Sequence, residues 1–135
     1  MTNIQWNDAY SIGFKVIDDQ HKKLIGFLND LYAAQSHGML QANISGTLDK
    51  LAEYTVYHFS EEEKLFEFYK YPKAAEHKEE HIYFVDKVKD LQLELSKGSV
   101  VLSLKTMDFL KDWTITHILG TDKEFGDFVN QKETI

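Results

Sequence analysis

The chain has 135 residues, which is long enough for one domain with a hydrophobic core, and 43% of them are hydrophobic, as in ordinary globular proteins. Its formal net charge of -7 argues against a nucleic acid as partner, because the chain would repel phosphates. The absence of cysteine excludes disulfides and thiolate metal sites, so imidazole and carboxylate groups remain as candidate metal ligands.

The N-terminal segment from Met1 to Tyr10 is polar and lacks the basic start and apolar run of a secretory signal. No stretch of the sequence approaches the length of a membrane-spanning helix. We therefore expect a cytoplasmic protein without a membrane partner, formed by a single domain over residues 1–135. The sequence leaves its oligomeric state open.

Four segments with helical periodicity follow this arm, and helix-breaking residues separate them. We expect helices at about Asp18–His37, Gln41–Tyr69, Pro72–Lys97 and Val101–Leu119. The breakers are Gly38, Pro72, Gly98 and Gly120, and we expect the last to close the fourth helix. Short connections favour antiparallel packing of consecutive helices. The sequence thus predicts an all-α, up-down-up-down antiparallel four-helix bundle with an extended N-terminal arm.

Histidines and a glutamate occupy positions in the apolar stripes of these helices. In chain order they are His21, His58, Glu62, His77, His81 and His117. A buried imidazole needs a partner for each ring nitrogen, and a buried carboxylate costs several kcal/mol unless it is paired or coordinated. One such residue could be structural, but a cluster on four helices indicates a common partner.

Spacing indicates that this partner is a metal. His77 and His81 lie four residues apart, which offsets them on a helix by roughly 40° and about 6 Å, so both rings can reach one ion. His58 and Glu62 have the same spacing. Each pair alone is a weak signal, but the two pairs lie on the inner stripes of two adjacent helices.

A seventh ligand is harder to assign. Asp122 follows His117 by five residues, and a continuous α-helix would turn its carboxylate away by roughly 140°. If the helix loosens at Gly120, the carboxylate can swing back toward the same ion. Spacing alone does not separate this possibility from a solvated acid at a helix end.

The number of ligands favours two ions over one. Five histidines and two carboxylates exceed the coordination capacity of a single ion. If both carboxylates bridge, one ion receives five protein ligands and the other four. One bridging oxygen raises these numbers to six and five, which leaves an open position for a small molecule.

The whole pattern resembles the hemerythrin family in its bacterial single-domain form, over essentially the full chain. The motifs are an N-terminal arm with Trp6, Asp-x-Gln-His (Asp18, Gln20, His21), His-x-x-x-Glu (His58, Glu62), His-x-x-x-His (His77, His81) and His-x-x-x-x-Asp (His117, Asp122). The resemblance implies reversible dioxygen binding at two non-haem irons (Fe2+/Fe3+) with a bridging oxo or hydroxo group. The oxygen could be stored, delivered to an oxygen-using enzyme, scavenged or sensed.

The resemblance also assigns residues to each part of the site. It implies that His77, His81 and His117 hold one iron, that His21 and His58 hold the other, and that Glu62 and Asp122 bridge them. It places Phe59, Trp113 and Ile118 around the bound oxygen. Thr114 stands where the family usually has Leu, so we expect a wetter oxygen pocket.

Two other functions remain as alternatives. A di-iron oxidase or peroxidase-type enzyme of the ferritin-like class would use Glu-x-x-His pairs, and no histidine of this chain has Glu three residues before it. A structural or hydrolytic zinc site accepts the same ligand types, but hydrolysis usually needs an accessible cleft. We interpret His37 as a helix-end residue and Glu61 and Glu63 as a solvated face.

Overall fold

Helices account for nearly all of the backbone that the computed structural model describes, which comprises residues 4–36, 41–97 and 104–133. The long helices are α1 (Lys15–Ser36), α2 (Gln41–Tyr69), α3 (Ala74–Ser96) and α4 (Leu104–His117). Helix α4 continues through a π-helical segment (Ile118–Asp122) into α5 (Lys123–Glu133). There is no strand in these ranges, and the predicted all-α four-helix bundle is confirmed. None of the described helices is long and apolar enough to cross a membrane.

The starts of two helices differ from the prediction. Helix α1 begins at Lys15, and Asp18 lies in its first turn, where it binds the preceding segment: its carboxylate accepts from Ser11 Oγ (2.5 Å) and from the backbone nitrogen of Ile12 (2.9 Å). Helix α3 begins at Ala74, two residues after Pro72. The predicted breakers Gly38 and Gly98, and His37, lie outside the described residues.

The prediction that Gly120 closes the fourth helix is wrong. The chain stays helical for thirteen further residues, because a π turn spans Gly120 and α5 follows directly. A π turn joins residues five apart rather than four, so it widens the helix locally without ending it.

The core is a column of apolar side chains between helices α1 to α4, with a smaller cluster at the end of the bundle where α5 packs. The larger cluster includes Leu28, Leu48, Leu51, Phe84 and Leu110, all with no exposed area. The smaller cluster contains Phe66, Tyr71, Phe125 and Val129. Phe66 is buried in it, whereas the neighbouring Leu65 and Tyr69 of α2 are only partly buried against it.

The N-terminal arm is held to the bundle by polar contacts and a close backbone approach. The Asn29 amide accepts from the nitrogen of Ile4 (2.9 Å) and donates to its carbonyl (2.8 Å). A Cβ added to Gly126 of α5 would lie 2.0 Å from the carbonyl oxygen of Ile12. Only a residue without a side chain therefore lets α5 pack this closely against the arm.

Candidate metal centre

Five histidines and two carboxylates from the four long helices and the π turn meet in the middle of the bundle. Their exposure ranges from 0% to 4%. Two overlapping groups of ligand atoms form, each with all its atoms within 4.8 Å of one another. The three-histidine group is His77, His81, His117, Glu62 and Asp122, and the two-histidine group is His21, His58, Glu62 and Asp122. The structure brings together all seven residues that the sequence singled out.

The π turn explains the presence of Asp122. In a continuous α-helix this residue would point away from His117. The extra residue in the π turn brings positions five apart onto the same face, and Asp122 Oδ1 lies 3.1 Å from His117 Nε2. The loosening expected at Gly120 is therefore present, although the helix continues.

Each carboxylate divides its two oxygens between the two groups. Glu62 Oε1 lies 2.9 Å from His77 Nε2 and 3.1 Å from His81 Nε2, whereas its Oε2 lies 3.6 Å from His58 Nε2. Because the two oxygens face different histidine sets, this carboxylate has the orientation of a bridge between two positions.

Asp122 repeats the arrangement from the opposite side. Its Oδ1 lies 2.8 Å from His77 Nε2 and 3.1 Å from His117 Nε2, and its Oδ2 lies 2.9 Å from His21 Nε2. Both carboxylates therefore contact both groups, and all five histidines turn Nε2 toward the shared centre.

The outward ring nitrogens show which tautomer three of the histidines adopt. Nδ1 of His58 lies 2.7 Å from the amide oxygen of Gln20, and Nδ1 of His81 lies 2.8 Å from Glu63 Oε2. Nδ1 of His117 lies 2.9 Å from Glu80 Oε1. An amide oxygen and a carboxylate only accept hydrogen bonds, so each Nδ1 carries a proton, and Nε2 presents a lone pair whenever the ring is neutral.

The centre is therefore rich in acceptors and poor in donors. Nε2 of His77 lies 3.1 Å from Nε2 of His117 and also faces both carboxylates. Several buried atoms of the cluster have no hydrogen bond of good geometry among the described residues: Nδ1 and Nε2 of His21, Oε2 of Glu62, Nδ1 of His77 and Oδ2 of Asp122. The inward-facing atoms among these, Nε2 of His21, Oε2 of Glu62 and Oδ2 of Asp122, fit cations of the kind that imidazole and carboxylate bind.

Burial sets the protonation of the metal-free cluster. It lowers the pKa of His58 to about 3 and that of His81 to about 2, so both rings are neutral, as a metal ligand must be. Burial, reinforced by the charge of Asp122, raises the pKa of Glu62. Burial opposes charge on His117, but Asp122 outweighs it and raises the pKa of His117 to about 9. Despite its burial, the Asp122 carboxyl has a lowered pKa because His117 is beside it.

We predict that the stability of the metal-free protein peaks near pH 6.5, the ordinary pKa of histidine. Below it, the unfolded chain binds protons at His58 and His81 that the folded chain does not, so stability falls as the pH falls; the raised pKa of the single Glu62 carboxyl opposes this trend. Above it, folded His117 holds a proton that the unfolded chain has lost, so stability falls as the pH rises toward the folded pKa of about 9. Urea unfolding of chelator-treated protein at several pH values measures this. A steady rise in stability toward pH 9 would contradict the protonated state of His117.

Aromatic rings cover one side of the three-histidine group. Phe59 stacks on His81 with ring centres 3.8 Å apart, and Trp113 stacks on His117 at 4.5 Å. Ile118 and Thr114, the other predicted pocket residues, are both buried. The Thr114 hydroxyl donates to the carbonyl of Leu110 at 2.8 Å.

Sequence reasoning missed the residues that hold the outward nitrogens. Glu63 was predicted to be solvated, which is wrong: it contacts His81 and only part of it reaches solvent. Glu80 was not singled out, and Gln20 was noted as part of a motif but given no role. Glu63 follows the predicted ligand Glu62 by one residue, and Glu80 precedes the predicted ligand His81 by one residue. This spacing turns both side chains about 100° away from the inner stripe of their helix. Only the distance to a neighbouring helix reveals their contacts.

Comparison with known proteins gives a consistent result. A family model described as "Hemerythrin HHE cation binding domain" matches residues 12–129. The chain is 37% identical to a bacteriohemerythrin of Stenotrophomonas maltophilia, covering 96% of this chain and 83% of that protein. It is 34% identical to a bacteriohemerythrin of Methylococcus capsulatus, covering 86% of each. The crystal structure of a wild-type hemerythrin superposes with a TM-score of 0.87 at 31% identity, covering 93% of this chain and 97% of that one.

Proposed function

The chain belongs to the hemerythrin family, and we propose that its buried cluster holds two non-haem irons and binds dioxygen reversibly. One iron would be held by His77, His81 and His117 and the other by His21 and His58, with Glu62, Asp122 and an oxo or hydroxo group as bridges. The observation that carries this proposal is the division of both carboxylates between the two histidine groups.

The residues of the chain suit this role in three ways. Burial keeps His58 and His81 neutral, so their nitrogens are ready to coordinate. The bundle core keeps bulk water from the ligands, which are at most 4% exposed. The two-histidine group also offers one protein ligand fewer than the other group. Reduced iron at that position would supply electrons and an open coordination position for a small neutral molecule.

Reversible binding has a direct test. We expect the reduced, anaerobic protein to change its visible spectrum when oxygen is admitted and to recover the first spectrum when oxygen is removed. Metal analysis of protein purified without added metal should give two irons per chain. One metal per chain, or zinc at both positions, would refute the proposal.

We also propose that the protein is an oxygen binder of the cytoplasm rather than an enzyme. A His-rich cluster offers few anionic ligands to support highly oxidised iron. Steady-state assays with a peroxide and an electron donor should therefore show slow turnover at most. Fast turnover would favour the di-iron oxidase or peroxidase alternative.

We predict that replacing Thr114 by Leu lengthens the lifetime of the oxygenated form. Because the Thr114 hydroxyl already donates to Leu110, its remaining capacity is to accept a hydrogen bond, for instance from water. Leu would remove that acceptor and fill more space, which should slow loss of the oxygenated form to the ferric state. The measurement is the autoxidation rate at fixed pH, with iron content checked in both proteins.

Thr114→Val is the matched control, because it removes the hydroxyl at nearly constant volume. If water held by the hydroxyl causes autoxidation, Val should protect about as well as Leu. If protection needs the larger side chain, only Leu should have the effect. A shorter lifetime for the Leu variant would contradict the expectation that Thr114 makes the oxygen pocket wetter. Equal lifetimes would show that Thr114 does not line the pocket.

A further inference from the structure

The outward nitrogens of the ligand histidines have partners of different charge in the two groups. In the three-histidine group, two rings donate to carboxylates: His81 to Glu63 at 2.8 Å and His117 to Glu80 at 2.9 Å. In the two-histidine group, His58 donates to the neutral amide of Gln20 at 2.7 Å. The group with more histidines is therefore also the group whose histidines donate to negatively charged partners.

Glu80 has a second hydrogen-bond partner that holds its carboxylate in place. The hydroxyl of Thr121, which lies in the π turn, contacts both of its carboxylate oxygens, at 2.8 and 3.0 Å. The side chain of Glu80 is 44% exposed to solvent. The chain thus keeps an oriented, negatively charged acceptor beside His117 without the full desolvation cost of a buried charge.

A carboxylate that accepts from the outer nitrogen of a histidine makes its inner nitrogen a better metal donor. It fixes the tautomer and the angle of the ring, and it adds negative charge near the ion. Loss of such a partner typically weakens metal binding about 10- to 100-fold. A neutral amide also fixes the tautomer, but it does not contribute the charge.

We propose that Glu63 and Glu80 are positioning residues that make the three-histidine position the tighter of the two metal positions, so that it fills first. This inference rests on the proposed two-metal site. A third histidine alone would also favour this position. We attribute to the two carboxylates the additional preference beyond that of the third histidine.

The sharpest variant is Glu80→Gln, which gives His117 the kind of neutral partner that His58 already has. The probe is Co2+, added under anaerobic conditions to metal-free full-length protein, with affinities measured by competition with a chelator. We expect two binding steps in the parent protein. In Glu80→Gln, the first step should weaken about 10- to 100-fold and its visible cobalt bands should shift, while the second step stays unchanged.

Three further variants separate positioning from general damage. Thr121→Val, which frees Glu80 but keeps its charge, should weaken the same step to a smaller extent. Gln20→Glu should tighten only the second step, because it gives His58 a charged partner. Glu79→Gln changes an exposed acid beside Glu80 on α3 and should alter neither step.

The outcomes distinguish this inference from the function on which it rests. If the parent protein takes up two Co2+ ions but Glu80→Gln leaves both steps unchanged or weakens both equally, the positioning role is refuted and the two-metal site stands. If the parent protein takes up fewer than two ions, the two-metal site itself is refuted.

Discussion

Replacing His77 by Ala should lower the metal content from the proposed two ions per chain to one or fewer and should lower the melting temperature of the loaded protein. His77 Nε2 contacts Glu62 at 2.9 Å and Asp122 at 2.8 Å, so it lies where both carboxylates meet the three-histidine group. Ligand binding at 1,000 times the dissociation constant contributes about 4 kcal/mol of stability, and a loss of this order is expected. Metal analysis and thermal unfolding, each with and without chelator, measure both effects.

Glu79→Ala is the control for this substitution, because Glu79 is exposed on the same helix. It should keep two metals and the parent melting temperature. The chelator separates metal-dependent stability from packing: the difference between His77→Ala and the parent protein should be much smaller when both are metal-free. A His77→Ala protein with full metal content and unchanged melting would show that His77 is not a ligand.

Replacing Gly126 by Ala should strongly destabilise the protein whether or not metal is bound. The added Cβ would lie 2.0 Å from the carbonyl oxygen of Ile12 and 2.9 Å from its Cβ, so α5 and the arm must move apart. Overpacking of this kind costs about 1–3 kcal/mol, and contact with backbone favours the upper end of that range. Urea unfolding of the metal-free variant measures the cost.

Gly46→Ala provides the matched comparison on α2. Apart from its chain neighbours and the nearby backbone of its own helix, no atom of the described residues lies within 4 Å of the position that its Cβ would occupy, and Gly46 is exposed. Alanine in an open helical position should stabilise the protein by about 0.5–1 kcal/mol. The two glycine substitutions should therefore have opposite signs, and destabilisation of similar size by both would contradict the close approach of α5 to Ile12.

Much of the architecture follows from local periodicity. Apolar residues at helical spacing, separated by helix breakers, were enough to predict four helices, and the histidines on their stripes predicted the convergence of His21, His58, His77, His81 and His117. Spacing within one helix has a direct geometric meaning, so these inferences need no knowledge of the neighbouring helices.

Other features depend on contacts between distant segments and were not predictable in this way. The partners of the outer ring nitrogens lie 18 to 38 residues from their histidines, on other helices. The continuation of the fourth helix past Gly120 depends on packing of α5 against Phe66 and Tyr71, which offsets the weak helix preference of glycine.

The π turn determines which residues of α5 face the same side as His117 at the end of α4. One extra residue in a helix acts as a single-residue insertion, which would normally rotate everything beyond it by about 100°. When one position is skipped, Asp122, Phe125 and Val129 follow His117 by four, seven and eleven residues, which is a regular heptad pattern. All three are buried. The same local insertion thus places Asp122 on the face of the five histidines, and Phe125 and Val129 on the face of the smaller apolar cluster at the end of the bundle, so neither group can shift register without the other.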